Sequence, residues 1–164
     1  MIIHVDVCGF CLVKRPDGTY SHVRGESFTR AEAVSHFGGA DYINRSCGAE
    51  ICAAIERDEE ITSLPDDLDC LFLRDATLPA SVTALPEGLR KMFLRDTTLP
   101  SGITSLPEGL RTLGMFGVAS LPESITALPE GLIHLLLFDG TSLPKSIAIP
   151  RCCNVRRYPK YKVR

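Results

Sequence analysis

Hydrophobic and polar positions repeat with a period of 21 or 22 residues from residue 64 to residue 149. The pattern of each copy is Leu-Pro-x-x-Leu-x-x-Leu-x-Leu, a short variable piece, and Leu-Pro-x-x-Ile, with Met or Val at a few of these positions. Leucines at fixed offsets with a period in the twenties predict a solenoid of stacked turns. The four copies are 64–84, 85–105, 106–127 and 128–149.

The Leu-x-Leu segment in the middle of each copy has the alternation of a short strand that is buried on one side. We expect one strand per copy, and we expect successive strands to pair in parallel. No copy can bury its own apolar side chains, so the stability has to come from stacking. The side chains predicted to point inward are Leu71, Leu73, Met92, Leu94, Leu113, Met115, Leu135 and Leu137.

Two Leu-Pro pairs in each copy predict that no regular helix forms on the convex side. Proline fixes its own φ angle and pushes the preceding residue towards extended geometry. We therefore expect an extended convex wall, with a tight turn at each Pro-Glu-Gly-Leu.

The ends of the chain predict caps for the solenoid, which divides the chain into 1–60, 61–150 and 151–164. In the first part, strands at 2–13 and 19–23 flank a hairpin turn at 16–18. Thr29 and Glu32 have the spacing of a capping box that opens a first helix, and a second helix is expected at 48–58. Cys152 or Cys153, with Val155, should lie on a last, degenerate strand.

The repeat resembles the leucine-rich repeat family, and within it the short bacterial Leu-Pro type found in type III secretion effectors. Leu-Pro-Glu-Gly-Leu occurs three times, at 85–89, 106–110 and 128–132. The resemblance implies an α/β solenoid with short parallel strands, behind a β-hairpin and a two-helix N-terminal cap. One departure is that Ala76, Thr97, Val118 and Gly140 stand where this family usually places asparagine.

The concave face of such a solenoid is the expected binding site for a partner protein. Apolar side chains in a contiguous outward column commonly mark an interaction surface, and arginine beside aromatic rings is typical of interface anchors. Two alternatives are that Phe116 and Phe138 fold over the rim, or that the N-terminal segment covers the face. The predicted partner-binding residues are Phe72, Arg74, Phe93, Arg95, Phe116, His134, Leu136 and Phe138.

An alternative hypothesis places the function in the N-terminal part, as a zinc or thiol module with the repeats as scaffold. Cys8 and Cys11 form a C-x-x-C motif, which could supply zinc ligands together with Cys47 and Cys52, or with His4 or His22. The two cysteines could also form a redox pair. The other interpretation is buried structural cysteine, because free cysteine packs as a small hydrophobe. We expect no cofactor, and the absence of a recognisable catalytic constellation favours a non-enzymatic protein.

Charge and hydropathy exclude a strong general attraction to nucleic acid or membrane. The formal net charge is −2, although the last 14 residues hold six basic residues and no acidic one. We expect that tail to be a solvated terminus, so nucleic acid is not the expected partner. The apolar start is interrupted by His4 and Asp6, so we expect no cleaved signal and folding in a cytoplasm. Export without a cleavable signal, and the oligomeric state, are left open.

Overall fold

The chain folds into a β-solenoid of about four turns, with a small antiparallel sheet and two helices at its N-terminal end. The computed structural model describes residues 1–23, 25–42, 45–138 and 140–159, with the backbone only at 45 and 46. No helix in these ranges is long and apolar enough to cross a membrane. The elements are β1 (Ile2–Val5), β2 (Cys11–Lys14), β3 (Tyr20–Ser21), α1 (Arg30–Gly38), α2 (Arg45–Arg57), β4 (Cys70–Arg74), β5 (Lys91–Arg95), β6 (Thr112–Phe116), β7 (His134–Phe138) and β8 (Asn154–Tyr158).

The solenoid strands form one parallel sheet in the order β4-β5-β6-β7-β8. Each strand pairs with the next in straight register, so that Leu71 faces Met92 and Met92 faces Leu113. Equivalent residues of successive copies therefore lie side by side in rows. This arrangement confirms the prediction of one strand per copy and of parallel pairing.

The interior of the solenoid holds the side chains that the repeat predicts. All eight residues predicted to point inward from the strands are buried, none of them more than 3 % exposed. Full burial of one such aliphatic side chain stabilises a fold by roughly 1.5–3 kcal/mol. The last copy differs, because Leu143 and Ile147 are only partly buried against the same core.

The convex wall consists of tight turns joined by extended backbone, as the prolines predict. The carbonyl oxygen of Pro86 accepts a hydrogen bond from the Leu89 N–H at 3.1 Å, and Pro107 accepts from Leu110 at 3.0 Å. The second Leu-Pro pair of each copy closes in the same way, as in Pro100 with Ile103. No helix lies between the strands in the described ranges from 61 to 159.

The glycine of Leu-Pro-Glu-Gly-Leu leaves room for an arginine from the preceding copy. The Arg111 guanidinium donates a hydrogen bond from Nη1 to the Gly131 carbonyl oxygen at 2.9 Å, and Arg90 donates to Gly109 at 3.1 Å. A Cβ atom on Gly131 would lie 1.7 Å from Arg111 Nη1. The motif thus links one turn to the next by charge-assisted hydrogen bonds.

The turns after the strands satisfy their backbone groups without the asparagine of the resembled family. Thr97 is 5 % exposed, and its hydroxyl donates to the Ala76 carbonyl oxygen at 2.9 Å. One turn further on, Asp96 Oδ1 accepts a hydrogen bond from the Val118 N–H at 3.1 Å. Two different side chains therefore bridge neighbouring turns, a buried threonine in one case and an aspartate at the surface in the other.

The prediction of one strand over 2–13 is wrong, because the chain turns back between Val5 and Cys11. Asp6 Oδ1 accepts hydrogen bonds from the N–H groups of Cys8, at 2.8 Å, and Phe10, at 3.0 Å. These bonds hold a tight turn in which Gly9 has a φ of 85°. The predicted hairpin turn at 16–18 is present between β2 and β3.

Two helices follow the antiparallel sheet. Thr29 is the N-cap of α1, and its capping box with Glu32 is complete, as predicted. Helix α2 begins three residues before the predicted position and ends at Arg57. The helices pack on one face of the sheet, in a cluster separate from the solenoid core. Its buried members are Ile3, Leu12, Tyr20, Ala33, Phe37, Cys47, Ile51, Ala54 and Ile55.

The other face of the antiparallel sheet lies against the first turn of the solenoid. Ile2, Val5 and Cys11 belong to the same apolar cluster as the repeat leucines. The Gly9 carbonyl oxygen accepts a hydrogen bond from the Phe72 N–H at 2.9 Å. The sheet, and not the pair of helices, therefore makes these contacts with the solenoid.

The opposite end of the solenoid is formed by β8, which contains Val155 as expected, whereas Cys152 and Cys153 precede the strand, contrary to the expectation. Val155 and Arg157 occupy the inward register positions beside Leu135 and Leu137. Both are exposed, because the described residues contain no further turn that would cover them. Residues 160–164 of the predicted basic tail lie outside the described residues.

Two glycine substitutions test the contact between the antiparallel sheet and the solenoid. Gly9 and Gly18 have nearly the same φ, 85° and 84°, so alanine meets the same backbone strain at both. A Cβ on Gly9 would lie 1.8 Å from the Cys70 carbonyl oxygen, whereas Gly18 has nothing within 4 Å. We expect Gly18→Ala to cost about 1–2 kcal/mol from the left-handed conformation alone. Gly9→Ala should cost roughly 1–3 kcal/mol more.

The measurement is the free energy of unfolding from chemical denaturation of both variants. Equal losses for the two variants would contradict the close approach of Gly9 to the first solenoid turn.

Candidate partner-binding face

The predicted partner-binding residues all lie on the outward side of the parallel sheet, which we call the sheet face (the outward side chains of β4–β7). The register places Phe72 beside Phe93 in one row, and Arg74 beside Arg95 in the next. Leu136 continues the first of these rows after Gly114. His134 is exposed at the start of β7, in the row of Lys91, away from the aromatic side chains.

Six aromatic rings form a continuous series that crosses the sheet face and extends by one ring beyond each end of it, here called the aromatic ladder. Neighbouring ring centroids are 4.9, 5.0, 6.4, 4.4 and 4.6 Å apart, and four of the five contacts are stacked. Offset stacks in this range contribute about 0.5–1.5 kcal/mol each beyond the burial of area. The members, in order, are Phe10, Phe72, Phe93, Phe116, Phe138 and Tyr158.

Sequence reasoning missed the two ends of the aromatic ladder. Phe10 belongs to the N-terminal part and reaches the series through a parallel bridge with Phe72. Tyr158 pairs with Phe138 in the register of β7 and β8. Extending the row of Phe138 by one strand would therefore have predicted its position. No local pattern connects residue 10 with residue 72, so nothing in the repeat could have revealed Phe10.

The aromatic ladder changes rows at Gly114. Phe93 belongs to the row that continues through Gly114 to Leu136, whereas Phe116 belongs to the row of Arg95. A Cβ on Gly114 would lie 2.6 Å from a ring carbon of Phe93 and 3.0 Å from one of Phe116. The missing side chain therefore makes the space in which the two rings meet.

Phe72 has a neighbouring ring on each side. It is nearly parallel to Phe10 and to Phe93, at interplanar angles of 12° and 11°. Its side chain is half-buried, so part of the ring remains exposed on the sheet face.

Two arginines of the sheet face each have an exposed or half-exposed acidic partner. Arg74 Nε lies 3.3 Å from Asp75 Oδ2, and Arg95 Nε lies 3.6 Å from Asp96 Oδ2. Each pair joins neighbours in sequence at the surface, where an ion pair contributes about 0–1 kcal/mol. Both guanidinium groups can therefore exchange these contacts for those of a ligand at little cost.

A groove of about 810 Å³ separates the antiparallel sheet from the aromatic ladder. Its lining includes Lys14, Arg15, Arg74 and Arg95 around the rings of the ladder. Lys14 is paired with Asp58, which carries a depressed carboxyl pKa because Lys14 donates a hydrogen bond to it. The N-terminal part thus borders the sheet face and leaves the rings half-buried, in contrast to the alternative in which it covers them.

The four cysteines of the zinc or thiol hypothesis are spread over different environments. Cys8 is exposed on the turn after β1, whereas Cys11 and Cys47 are buried. Burial raises the pKa of Cys11 to about 12 and that of Cys47 to about 11. The Cys52 thiol lies 3.7 Å from the Val34 carbonyl oxygen. A raised pKa makes a thiol a poorer nucleophile and metal ligand, since the thiolate is the reactive form.

Metal-binding geometry is not found around these cysteines. Within the residues that the structure describes, no group of three or more His, Cys, Asp or Glu side chains is arranged to hold a metal ion.

A buried hydrogen bond between His22 and Asp6 supports the turn that carries the C-x-x-C motif. His22 Nε2 lies 2.8 Å from Asp6 Oδ2, and both side chains are almost fully buried. Desolvation raises the pKa of Asp6, but the hydrogen bonds from His22 and the Phe10 N–H outweigh it, so the net shift is downward. Since Asp6 also orders the N–H groups of this turn, the pair has a structural role.

His4 lies near this pair and is held in its neutral form. Desolvation lowers its pKa below the usual 6.5, against the raising effects of Glu50 and Asp6, while His22 and Arg57 lower it further. Its Nε2 atom is buried, and the nearest carboxylate oxygen, on Glu50, is 3.9 Å away. Protonation of His4 is therefore disfavoured in the folded chain.

Comparison with known proteins finds no matching family model, no matching curated protein and no matching solved structure. The resemblance to leucine-rich repeats therefore depends on the repeated motif, and function has to be argued from the geometry of the sheet face.

Acidification should destabilise the protein through His4. The unfolded chain binds a proton at His4 as the pH falls through about 6.5, whereas the folded chain resists it, so the free energy of unfolding decreases. We expect His4→Gln to reduce this dependence between about pH 7.5 and pH 5.5. Chemical denaturation at a series of pH values measures the free energy of unfolding as a function of pH. The same pH dependence in the wild type and in His4→Gln would contradict the burial of His4.

The stacking energy within the aromatic ladder can be measured by a double-mutant cycle. Phe116→Leu and Phe138→Leu each remove one side of the stack at 4.4 Å, so we expect a coupling of about 0.5–1.5 kcal/mol. The matched cycle of Phe72→Leu with Phe138→Leu joins residues without direct contact and should be additive within about 0.5 kcal/mol. Equal coupling in both cycles, from unfolding free energies, would contradict a pairwise stack.

Proposed function

We propose that this protein is a non-enzymatic protein-interaction module that binds a partner protein through its sheet face. The observation that carries the proposal is the aromatic ladder, which points outward across the whole sheet, whereas the inward positions of strands β4–β7 hold leucine and methionine. Placing six half-buried aromatic side chains on the solvent side contributes less to folding than burying them would. A partner that covers the exposed parts of the rings accounts for this arrangement.

The composition of the sheet face supports the same proposal. Aromatic residues and arginine are enriched in the energetically dominant parts of protein interfaces. Arg74 and Arg95 lie in one row beside the rings of Phe72 and Phe93. Five strands about 4.8 Å apart span roughly 19 Å, which suits a peptide, a single helix or the edge of a domain.

The finer part of the proposal is that the solenoid is a leucine-rich repeat of the short bacterial Leu-Pro type. The repeated Leu-Pro-Glu-Gly-Leu motif, one strand per copy and a convex wall without helices support this assignment. We propose further that the protein is made in a cytoplasm and acts, as an effector or inhibitor, by occluding a surface of its partner. Export would then need a route without a cleavable signal.

The zinc or thiol module remains the alternative function. The exposed Cys8 on the turn beside Cys11 is the observation that favours it. The raised pKa values of Cys11 and Cys47 weigh against thiol reactivity at those two positions. Stoichiometric zinc in the purified protein, lost on Cys8→Ser, would replace the sheet-face proposal by this one.

Affinity capture with mass spectrometry tests the sheet-face proposal. The double variant Phe116→Asp with Phe138→Asp places two carboxylates in the middle of the aromatic ladder. We expect it to lose at least about 2 kcal/mol of binding, the scale of interface hot spots. A partner retained by the wild type should therefore be absent from the captured fraction.

The matched control is Val118→Asp with Ile133→Asp. It also introduces two aspartates into the same two copies of the repeat. The residues that it replaces are apolar, are 73 % and 50 % exposed, and lie off the aromatic ladder. Because Phe116 and Phe138 are stacked, their variant will also unfold more easily, so circular dichroism must show that both variants are folded at the capture temperature. Equal capture by the two folded variants would refute the sheet-face proposal.

A further inference from the structure

The parallel sheet has two edges, and in the described part of the chain only the first of them is covered. At β4, the Gly9 carbonyl oxygen accepts a hydrogen bond from the Phe72 N–H at 2.9 Å, and Phe10 forms a parallel bridge with Phe72. The Phe10 ring also stacks on the Phe72 ring, with centroids 4.9 Å apart. At the other edge, β8 has β7 on one side and no described strand on the other.

The uncovered edge of β8 presents backbone groups in the direction of a further strand. Asn154 donates its N–H to the Ile133 carbonyl oxygen at 2.8 Å, so its backbone groups point towards β7. Because these groups alternate in direction from residue to residue along a strand, those of Val155 and Arg157 point away from β7. Each of these two residues therefore offers one N–H donor and one carbonyl acceptor to an added strand.

Apolar side chains of the last turn are left partly exposed at the same end. Val155 is 38 % exposed, whereas Leu135, which lies beside it in β7, is fully buried. Ile147 is only partly buried, although the equivalent Ile125 of the preceding copy has no exposed surface. Solenoids normally shield a terminal turn of this kind with a capping element. A strand added to β8 would place its inward side chains over this turn.

The charge of this end is positive even when the neighbouring acidic residues are counted. Residues 140–159 contain four basic residues and no acidic one, and residues 128–139 contain two acidic residues and no Lys or Arg. Among the described residues, none of the four basic side chains forms an ion pair. Residues 160–164 add three more basic residues and no acidic one. The residues counted in 128–159 are Lys145, Arg151, Arg156 and Arg157 against Glu130 and Asp139.

We propose that the uncovered edge of β8 binds an extended acidic segment of a partner protein, which pairs with it in parallel as the next strand of the sheet. This site is separate from the sheet face. The segment repeats at the last edge what Gly9 and Phe10 do at the first, with backbone hydrogen bonds and a ring at the end of the aromatic ladder. The Tyr158 ring stacks on Phe138 at 4.6 Å, and no described ring covers its other side.

The register of a parallel strand specifies the side chains of the segment. Carboxylates beside Arg156 and Arg157 form cross-strand pairs of opposite charge, one on the outward side and one on the inward side. An apolar side chain beside Val155 extends the core, and an aromatic one beside Tyr158 continues the aromatic ladder. In chain order the segment therefore contains an apolar residue, two acidic residues and an aromatic residue.

A second copy of this chain is the less favoured occupant of the edge. Pairing two β8 strands would bring Arg156 and Arg157 of one copy close to the same residues of the other, and like charges on adjacent strands are destabilising. Charged side chains on an edge strand are a common means by which proteins avoid such self-association. The same charges attract an acidic segment, so they select between the two occupants.

Titration with a synthetic peptide tests the proposal. The probe is the capped peptide Ser-Thr-Val-Glu-Glu-Trp-Ser, in which Val-Glu-Glu-Trp lies beside residues 155–158 in parallel register. The protein contains no tryptophan, so the emission of the peptide reports binding without background. We expect a shifted emission on binding and an affinity that falls with rising salt. Replacing both Glu by Gln should weaken binding roughly three- to tenfold, as expected for two exposed ion pairs.

Methylation of the peptide backbone separates strand addition from attraction between charges. In parallel register, the N–H groups of the first Glu and of Trp point towards the carbonyl oxygens of Val155 and Arg157. N-methylation at these two positions should weaken binding at least about fivefold, because two hydrogen bonds are lost. The matched control is N-methylation at Val and at the second Glu, whose N–H groups point away from β8. It leaves the charge and composition the same, and we expect less than about a twofold effect.

Variants of the protein locate the site. Proline is tolerated on an edge strand where the N–H faces solvent, so Val155→Pro should preserve the pairing of β8 with β7 while blocking the added strand. We expect it to weaken peptide binding at least about fivefold, because a donor is lost and the proline ring stands in the way of the segment. The matched control is Val155→Ala, which keeps the N–H and should weaken binding less than about threefold. Circular dichroism checks that both variants are folded.

Removal of charge gives a second, independent location. Arg156→Gln with Arg157→Gln should weaken binding roughly three- to tenfold. The matched control is Arg74→Gln with Arg95→Gln, which removes two arginines from strands at least three places away from β8 in the same sheet. That separation is about 14 Å, beyond the screening length of about 8 Å at physiological salt. We therefore expect the control to change the affinity less than about twofold.

Several outcomes would overturn the proposal. These are no emission change at millimolar peptide, equal binding of the two N-methylated peptides, equal weakening by Val155→Pro and Val155→Ala, or equal weakening by the two pairs of arginine variants. Displacement of the peptide by oligothymidylate at physiological salt would assign the edge to nucleic acid instead. A dimer in sedimentation that is lost in Val155→Pro would assign it to a second copy. None of these results bears on partner capture by the sheet face, so the two proposals fail separately.

Discussion

The burial of each turn against the next is the constraint on which the rest of the structure depends. A single turn has its leucines on a thin loop, and only the neighbouring turns remove them from water. The Leu-Pro turns keep every copy at nearly the same length, so that strands stack in straight register. Gly109 and Gly131 allow arginines of the preceding copies to tie adjacent turns together.

Straight register has a consequence on the other side of the sheet. Residues that point outward are also aligned in rows, so similar residues at equivalent positions come into contact over the whole length of the solenoid. Phe72 and Phe93 stack for this reason, as do Phe138 and Tyr158. The repeat that builds the core therefore also builds these two stacks, whereas the contacts of Phe10 with Phe72 and of Phe93 with Phe116 need packing of their own.

The sequence pattern predicts what depends on the period and misses what depends on contacts between distant segments. The inward leucines, the outward rows and the capping box at Thr29 all follow from local spacing. The turn at Asp6 depends on a buried partner, His22, sixteen residues away, which no local pattern reveals. The row change at Gly114 and the contact of Phe10 with Phe72 depend on side-chain packing, so the groove could not be predicted.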